Sequence, residues 1–280
     1  MGNGDRDPVH HRRHLLPQRR PWDHTSADEI SMSLLRLKNV SRLFGRLAAL
    51  QDIELEMEEG KVYAMIGPNG AGKTTLFNLI SGFFPATSGE IWFEDKPINN
   101  LTAEQRVAAG LVRTFQITEV FPELSVAENL RIGVEAQENH SAFPWPSTQM
   151  ARGVNGKVEE LLSVTGLASQ AHRVVSELAH GDQRVVEVAM ALSMKPKLLL
   201  LDEPTAGMGR AEAGRMVDLI RTLHDKQHLS ILFVEHDMDI VFGVADRIVV
   251  LNFGRILATG TPKEIGQNPA VQAAYLGDAA

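Results

Sequence analysis

The sequence has no cysteine, no apolar run long enough to cross a membrane and no excess of positive charge. Without cysteine the chain can form neither a disulfide nor a thiolate metal site, which agrees with a cytosolic protein. A membrane helix needs about 20 consecutive apolar residues, so we expect any role at a membrane to run through partner proteins. No apolar segment near the N-terminus resembles a secretory signal. The net charge of −7 argues against a sequence-independent nucleic-acid binder, which presents a basic surface.

The first 33 residues differ from the rest of the chain, whose 44% hydrophobic and 22% charged residues are ordinary for a soluble globular protein. Residues 1–33 mix histidines, arginines and prolines without an apolar period, which predicts a disordered tail. The alternatives are metal binding by the histidines or contact of the arginines with anionic lipid. Acidic residues in the same stretch cancel the arginine charge, which favours a tail without a binding role.

The most informative stretch is residues 62–81. Residues 62–66 have the length and apolar character of a strand, and the amphipathic spacing after Lys73 predicts a helix. Between them the chain reads G-x-x-x-x-G-K-T, in the strand–loop–helix setting that a phosphate-binding loop requires. Glycines let the backbone turn its N–H groups inward, and with the positive helix end these donors make a cradle for polyphosphate.

Two side chains of this loop add specific chemistry to the cradle. Lys73 places a positive charge near the β- and γ-phosphates, and the hydroxyl of Thr74 is suited to ligate Mg²⁺. The sequence therefore predicts a protein that binds a nucleoside triphosphate with Mg²⁺. The predicted nucleotide-binding residues of the loop are Gly67, Pro68, Asn69, Gly70, Ala71, Gly72, Lys73, Thr74 and Thr75.

Two adjacent carboxylates follow a second apolar run. Residues 198–201 are four leucines, as expected of a parallel strand covered on both faces, and Asp202 and Glu203 come directly after them. Open α/β sheets hold their ligands at the carboxyl ends of such strands. Asp202 is therefore placed to hold the metal ion, and Glu203 to orient and deprotonate a water for attack on the γ-phosphate. A solvated turn is the alternative, which the phosphate loop disfavours.

Phe44 and His236 each leave two interpretations open. Phe44 lies on a polar turn between two alternating strands, at 35–40 and 53–57, and either packs locally or stacks on a nucleotide base. His236 follows a fully apolar strand at 231–234, and it is either structural or in contact with the γ-phosphate.

The middle of the chain is predicted to be helical with one insertion. A capping box predicts a helix over 122–133, and helix returns at 158–164 and again at 183–194. Residues 135–156 show no period and contain prolines, which predicts a surface insertion. This insertion either packs Trp145 locally or contacts a partner.

Taken in order, these motifs resemble the nucleotide-binding subunits of ATP-binding cassette (ABC) transporters, over residues 34–277. The resemblance implies an α/β P-loop NTPase fold, with a RecA-like parallel sheet core, an antiparallel β subdomain and an α-helical subdomain at about 118–178. Residues 278–280 would form a short C-terminal tail. The matching positions are residues 67–75 for the Walker A loop, Gln116 for the Q-loop glutamine, residues 178–183 for the signature, residues 198–203 for Walker B, His236 for the switch histidine and Phe44 for the adenine-stacking aromatic.

The resemblance also implies how such a subunit works. Two subunits close head to tail, with each ATP between the Walker A loop of one and the signature of the other, and Gln116 couples this motion to membrane subunits. The implied catalytic residues are Glu203, His236, Gln116 and Lys73. The implied metal ligands are Thr74, Gln116 and Asp202. The implied signature contacts to ATP are Ala179, His180, Gly181, Asp182 and Gln183.

Within the family, the chain looks like the ATPases of branched-chain amino acid and urea or amide importers. This likeness rests on Arg-Thr-Phe-Gln, Val-Glu-His-Asp-Met, the terminal Ala-Tyr-Leu-Gly and the insertion. It implies two membrane permease subunits, a second ATP-binding subunit in a heterodimer or homodimer and, indirectly, a periplasmic or extracellular substrate-binding protein. The protein would then lie peripherally on the cytoplasmic face of the inner membrane.

The chain departs from the family pattern at two positions, and three other functions are alternatives. Ala179 replaces the usual signature serine, and Gly209 stands where an acidic or amide side chain is common; we expect both nucleotide sites to stay competent. An ATPase of lipid or lipopolysaccharide export shares much of the C-terminal pattern. A cassette ATPase of DNA repair or translation would carry two cassettes or a long coiled coil before the signature. A nucleotide kinase or GTPase would leave the segment before Walker B unexplained.

Overall fold

The computed structural model describes Met1 and residues 33–114, 120–138 and 148–276. The predicted N-terminal tail apart from Met1 and Ser33, Gln116, Trp145 of the predicted insertion and the tail at 278–280 therefore lie outside the described residues. In the described part of the chain, no helix is both long enough and apolar enough to cross a membrane.

The described residues form strands and helices that alternate along most of the chain. The strands are β1 (Ser33–Phe44), β2 (Leu47–Glu58), β3 (Val62–Ile66), β4 (Ser88–Phe93), β5 (Lys96–Pro97), β6 (Leu111–Arg113), β7 (Leu198–Asp202), β8 (Ser230–Val234), β9 (Arg247–Asn252) and β10 (Arg255–Gly260). The helices are α1 (Lys73–Ile80), α2 (Ala103–Ala108), α3 (Val126–Gln137), α4 (Thr148–Val164), α5 (His180–Ser193), α6 (Arg210–Gln227), α7 (Met238–Val244), α8 (Pro262–Gly266) and α9 (Pro269–Leu276). Short 3₁₀ turns lie at Ala168–Gln170 and Val175–Glu177.

One sheet is antiparallel, with the strand order β2-β1-β4-β5. Strands β1 and β2 form a long hairpin in which Phe44 pairs with Leu47 across the turn. Leu35 and Leu37 face the core, as the alternation in the sequence predicts. The hairpin places Phe44 at its tip.

The other sheet is mainly parallel, with the order β10-β9-β3-β8-β7-β6 and an antiparallel edge strand β10. Residues of β3, β7 and β8 are buried almost throughout, because helices or the first sheet cover both faces. Alternate residues of β3 enter two different cores: Val62 and Ala64 one, Tyr63 and Met65 the other. This topology brings the loops after β3, β7 and β8 to one edge of the sheet.

The helices α3, α4 and α5 pack together, and several of their bounds differ from the sequence prediction. The predicted capping box of α3 is confirmed: Ser125 Oγ accepts from the N–H of Glu128 at 3.3 Å, and Glu128 Oε2 from the N–H of Ser125 at 2.8 Å. The irregular insertion predicted over 135–156 is wrong at both ends, because α3 runs to Gln137 and α4 begins at Thr148.

The missed part of α4 has a physical explanation. Val154, Val158 and Leu162 are buried at a spacing of four residues, but glycines at 153 and 156 and polar neighbours hide this period in the sequence. The start of α5 also differs from the prediction, because the helix begins at His180 rather than at residue 183.

Candidate nucleotide-binding site

The phosphate loop joins β3 to α1 as the sequence predicts. Gly67 has φ +156°, and a Cβ at this position would lie 2.3 Å from the carbonyl oxygen of Leu251. Gly72 is the N-cap residue of α1 at φ +105°, a conformation that side chains disfavour. The first N–H groups of a helix have no partner within it, and Gly72 has no side chain to cap them. The loop is therefore shaped to bind an anion at the start of α1.

Lys73 is folded across this loop. Its Nζ donates hydrogen bonds of 2.6 Å to the carbonyl of Gly67 and 3.1 Å to the carbonyl of Pro68. Burial lowers the pKa of Lys73, whereas the charges of Glu203 and Asp202 act to raise it. The ammonium thus lies within electrostatic reach of Asp202 and Glu203 at the end of β7. Phosphate oxygens can replace the carbonyls of Gly67 and Pro68 as its hydrogen-bond partners.

Asp202, at the end of β7, is held by Arg113, which is not among the site residues predicted from the sequence. Arg113 Nη2 donates a 2.6 Å hydrogen bond to Asp202 Oδ2, and Nη1 donates at 2.5 Å to Oδ1 of Asn78 on α1. Arg113 is only 4% exposed, with its guanidinium 5.5 Å from the ring centre of Phe77. A lone charge at the end of the apolar strand β6 is the signal that could have revealed it.

Glu203 and His236 are in contact at the carboxyl ends of the neighbouring strands β7 and β8. Nε2 of His236 lies 2.9 Å from Oε1 of Glu203, and both side chains are close to half exposed. Glu203 has φ +47°, a left-handed conformation that is uncommon outside glycine and asparagine. Its backbone N–H donates to the carbonyl of Val234 at 3.0 Å, which ties the loop after β7 to the end of β8.

A single cleft of about 630 Å³ gathers most of the residues that the sequence predicts for nucleotide binding. Phe44 lies at one side, 40% exposed, with its ring held edge-on by Phe84 at 5.6 Å and covered by the guanidinium of Arg42 at 4.6 Å. Phe253, in the turn between β9 and β10, was not predicted and is 84% exposed at the cleft. The described residues that line the cleft are Phe44, Leu47, Ala48, Ala49, Gln51, Asn69, Gly70, Ala71, Gly72, Lys73, Thr74, Thr75, Glu203, His236, Phe253 and Gly254.

The predicted signature residues lie elsewhere. Residues 179–183 are absent from the described lining of this cleft. Ala179 is the N-cap residue of α5 and forms no side-chain cap. Asp182 accepts a hydrogen bond from Gln170 Nε2 at 3.1 Å, and Gln183 Nε2 donates to the carbonyl of Leu178 at 3.0 Å. The start of α5 therefore does not complete the nucleotide cleft of its own chain.

The chemistry at the end of β7 fits a hard divalent cation bound together with a nucleotide. Among the described residues, no group of three or more histidine and acidic side chains gathers as a self-sufficient metal site. Mg²⁺ bound with nucleotides uses one or two protein oxygens together with phosphate oxygens and water. Asp202 supplies a carboxylate at the strand end and Thr74 a hydroxyl at the start of α1. Gln116, the third predicted ligand, lies outside the described residues.

A parallel sheet with a glycine-rich loop before α1, and carboxylates at the end of a nearby strand, define a P-loop nucleotide-binding protein. Comparison of the sequence with protein families narrows this class. The family described as ABC transporter matches residues 50–206. The family described as branched-chain amino acid ATP-binding cassette transporter matches residues 255–280. The chain belongs to the ABC transporter family and is an ATPase of that family.

Two curated relatives match over their full length. The chain is 39% identical over 255 residues to the high-affinity branched-chain amino acid transport ATP-binding protein LivG of Escherichia coli K12, covering 89% of this chain and 100% of LivG. It is 37% identical over 258 residues to BraF of Pseudomonas aeruginosa, which has the same description, with the same coverage of 89% and 100%.

Solved structures show the same fold. A nucleotide-free ATP-binding cassette from an ABC transporter superposes with a TM-score of 0.75 at 31% identity, over 87% of this chain and 99% of the other. The ADP conformation of the ATP-binding cassette MJ1267 gives a TM-score of 0.76 at 32% identity, over 88% and 99%. The predicted fold class is thereby confirmed.

Proposed function

We propose that this chain is the ATP-hydrolysing subunit of an ABC importer for branched-chain amino acids or related amino acids and amides. The similarity to LivG and BraF supports the substrate class, because both are matched from end to end. The observation that carries the ATPase site is the contact of Glu203 with His236 in the cleft that also holds the phosphate loop.

In this proposal the chain's own residues bind and orient the nucleotide. The N–H groups at the start of α1 and the ammonium of Lys73 bind the phosphates, and Phe44 stacks on the base. Thr74, Asp202 and Gln116 hold Mg²⁺, which neutralises charge on the phosphates when bound. Because Lys73 already lies near Asp202 and Glu203, binding needs only local exchange of its partners.

Glu203 acts in this proposal as the general base. Its carboxylate accepts a proton from the water that attacks the γ-phosphate, and its neighbour His236 contacts the same phosphate. The 2.9 Å contact between them keeps the base and the phosphate-sensing imidazole in one arrangement. Their partial exposure leaves room for a water and a phosphate.

The position of α5 supports a head-to-tail partner. Residues 179–183 do not line the cleft of their own chain in the part of the protein that the structure describes, so they are free to serve a second ATP-binding subunit. Backbone N–H groups at the start of α5 would replace the hydroxyl that Ala179 lacks. Gln116 would transmit the closure of the two ATP-binding subunits to two membrane permease subunits at the cytoplasmic face. A substrate-binding protein on the other side of the membrane would deliver the substrate to these permeases.

Transport by the reconstituted complex tests this function. The chain would be purified with its membrane and ATPase partners and placed in liposomes with ATP on the chain's side. We expect ATP-dependent accumulation of leucine when a binding protein is supplied, and none with Lys73→Ala, because the loop loses its charge for the phosphates. Export of lipid without amino-acid uptake would replace the importer by an exporter.

A further inference from the structure

A buried carboxylate beside the cleft has no role in the scheme above. Glu235 directly follows β8 and is only 5% exposed. A buried charge is costly unless it is fully hydrogen-bonded. Here Oε1 accepts from the backbone N–H of Thr205 at 2.9 Å and from its hydroxyl at 2.6 Å. Oε2 accepts from the backbone N–H of His236 at 3.1 Å.

These hydrogen bonds close a ring around the proposed catalytic pair. The backbone N–H of Glu203 donates to the carbonyl of Val234, and the side chain of Glu203 contacts His236. Thr205, two residues after Glu203, donates hydrogen bonds to Glu235 in the loop after β8. Each loop is thus tied to the other at the backbone and at the side chains.

The ring matters because little else orders the pair. The side chains of Glu203 and His236 are 44% and 49% exposed, so packing does not fix their rotamers. Glu203 also has the left-handed φ of +47°, a strained state that persists only where its surroundings enforce it. Hydrogen bonds to a charged acceptor are short and strong. Those to Glu235 hold the two loops that carry Glu203 and His236 in place.

We propose that Glu235 is a positioning residue for ATP hydrolysis, which fixes the separation of Glu203 and His236 by binding Thr205 and the backbone of His236 at once. The inference rests on the proposed roles of Glu203 and His236. Among the described residues, neither Glu235 nor Thr205 lines the cleft that holds the phosphate loop. Loss of the hydrogen bonds between Glu235 and Thr205 should therefore slow turnover and leave nucleotide affinity unchanged.

The test compares variants in the full chain, assembled with its partners, by kcat and by the Kd of a fluorescent ATP analogue. We expect Glu235→Gln and Thr205→Val to lower kcat about tenfold with Kd within about twofold of wild type, a loss confined to the transition state. Thr205→Ser retains the hydroxyl and should keep wild-type kcat. Glu264→Gln is the matched control, because Glu264 binds the N–H and hydroxyl of Thr261 in the same way on α8.

A double variant separates positioning from a general structural effect. If Glu235 acts through His236, adding Glu235→Gln to His236→Ala should cause no further loss of kcat, since residues that act as a unit are not additive. Fully additive losses, or an unchanged kcat in folded Glu235→Gln, would overturn the inference. Should Glu235→Gln fail to fold, the comparison of Thr205→Val with Thr205→Ser decides the matter in the same way.

One further variant keeps the two failures distinct. Glu203→Gln tests the proposed base alone. If this variant retains turnover, the proposed function of the pair fails, and the positioning inference fails with it. If it stops turnover while Glu235→Gln and Thr205→Val leave kcat intact, only the positioning inference is wrong.

Discussion

The guanidinium of Arg113 lies between Asp202 and Asn78, and its 2.6 Å bond to Asp202 joins the strand before Gln116 to the proposed metal ligand. Arg113 is 4% exposed and the Asp202 side chain 18% exposed, so water screens this pair poorly. The same guanidinium reaches α1 through Asn78. The phosphate-loop helix and the end of β7 therefore share one buried cation.

Removing this cation should destabilise the protein strongly. We expect Arg113→Met to lower the free energy of unfolding by about 3 kcal/mol, because it leaves a partly buried carboxylate without its partner. Urea denaturation measures the change. Arg255→Met is the control, since Arg255 forms an exposed pair with Asp52 at 3.1 Å and should cost about 1 kcal/mol or less. Equal losses for the two variants would refute a special role for the Arg113 pair.

Ala179→Ser should stabilise the nucleotide-free chain. Ala179 is the N-cap residue of α5 with extended backbone angles, φ −60° and ψ 151°, and it offers no acceptor to the first turn. A serine hydroxyl there accepts from the N–H of the second or third helical residue, a gain of about 1 kcal/mol. Thermal unfolding of Ala179→Ser against Ala179→Val, which lacks the hydroxyl, checks this. An identical melting temperature for both would show that no cap forms.

Ala179→Ser also tests whether the signature segment supports ATP hydrolysis without its usual serine. We expect ATPase activity of the assembled complex to rise measurably, but by less than the activity lost on Glu203→Gln, because in the proposed head-to-tail dimer the backbone donors at the start of α5 would contact the phosphate without the hydroxyl. A wild-type complex without activity that the serine restores would contradict this expectation.

Phe253→Asn should raise stability. Phe253 has φ +45° and is 84% exposed, so its ring contributes little burial while its backbone is strained. Asparagine tolerates this conformation, and relief of the strain is worth about 1 kcal/mol. Phe253→Leu keeps the strain and should show no gain. Stability that falls in Phe253→Asn but not in Phe253→Leu would mean that the turn does not store strain.

The lowered pKa of Lys73 predicts how stability depends on pH without nucleotide. The unfolded value is 10.5 and the folded value lies below it, so between them the unfolded chain binds more protons. The cost of burying the charged ammonium of Lys73 is complete at pH values below the folded pKa. It falls as the pH rises from the folded pKa to 10.5. Wild type should therefore gain stability relative to Lys73→Met on approaching pH 10.5, with a constant difference near neutral pH. A difference that moves the opposite way would contradict the burial effect on Lys73.

Local patterns in this sequence predict those elements whose structure is determined locally. The loop at 67–74 and the strand before Asp202 were predicted because glycine spacing and an apolar run directly determine a turn and a buried strand. The alternation at 35–40 and 53–57 likewise predicts two strands, and it is confirmed by the antiparallel pair β1 and β2.

The parts that were missed depend on contacts between distant residues. Arg113 and Asp202 are 89 residues apart, and no local pattern reports their pairing. Glu235 and Thr205 meet only because β7 and β8 are neighbours in the sheet. The first part of α4, before residue 158, escapes prediction for another reason, because two glycines interrupt a helix whose period is set by packing on α3 and α5. The proposed ligand role of Gln116 stays a prediction.

Single-turnover hydrolysis by Glu203→Gln in the assembled complex tests the account most directly. The glutamine keeps the shape of the side chain but cannot take the proton of the attacking water. We predict that Mg·ATP binds to this variant with wild-type affinity and that the hydrolysis rate falls at least about a hundredfold. Hydrolysis at the wild-type rate by a variant that binds ATP normally would contradict the central claim.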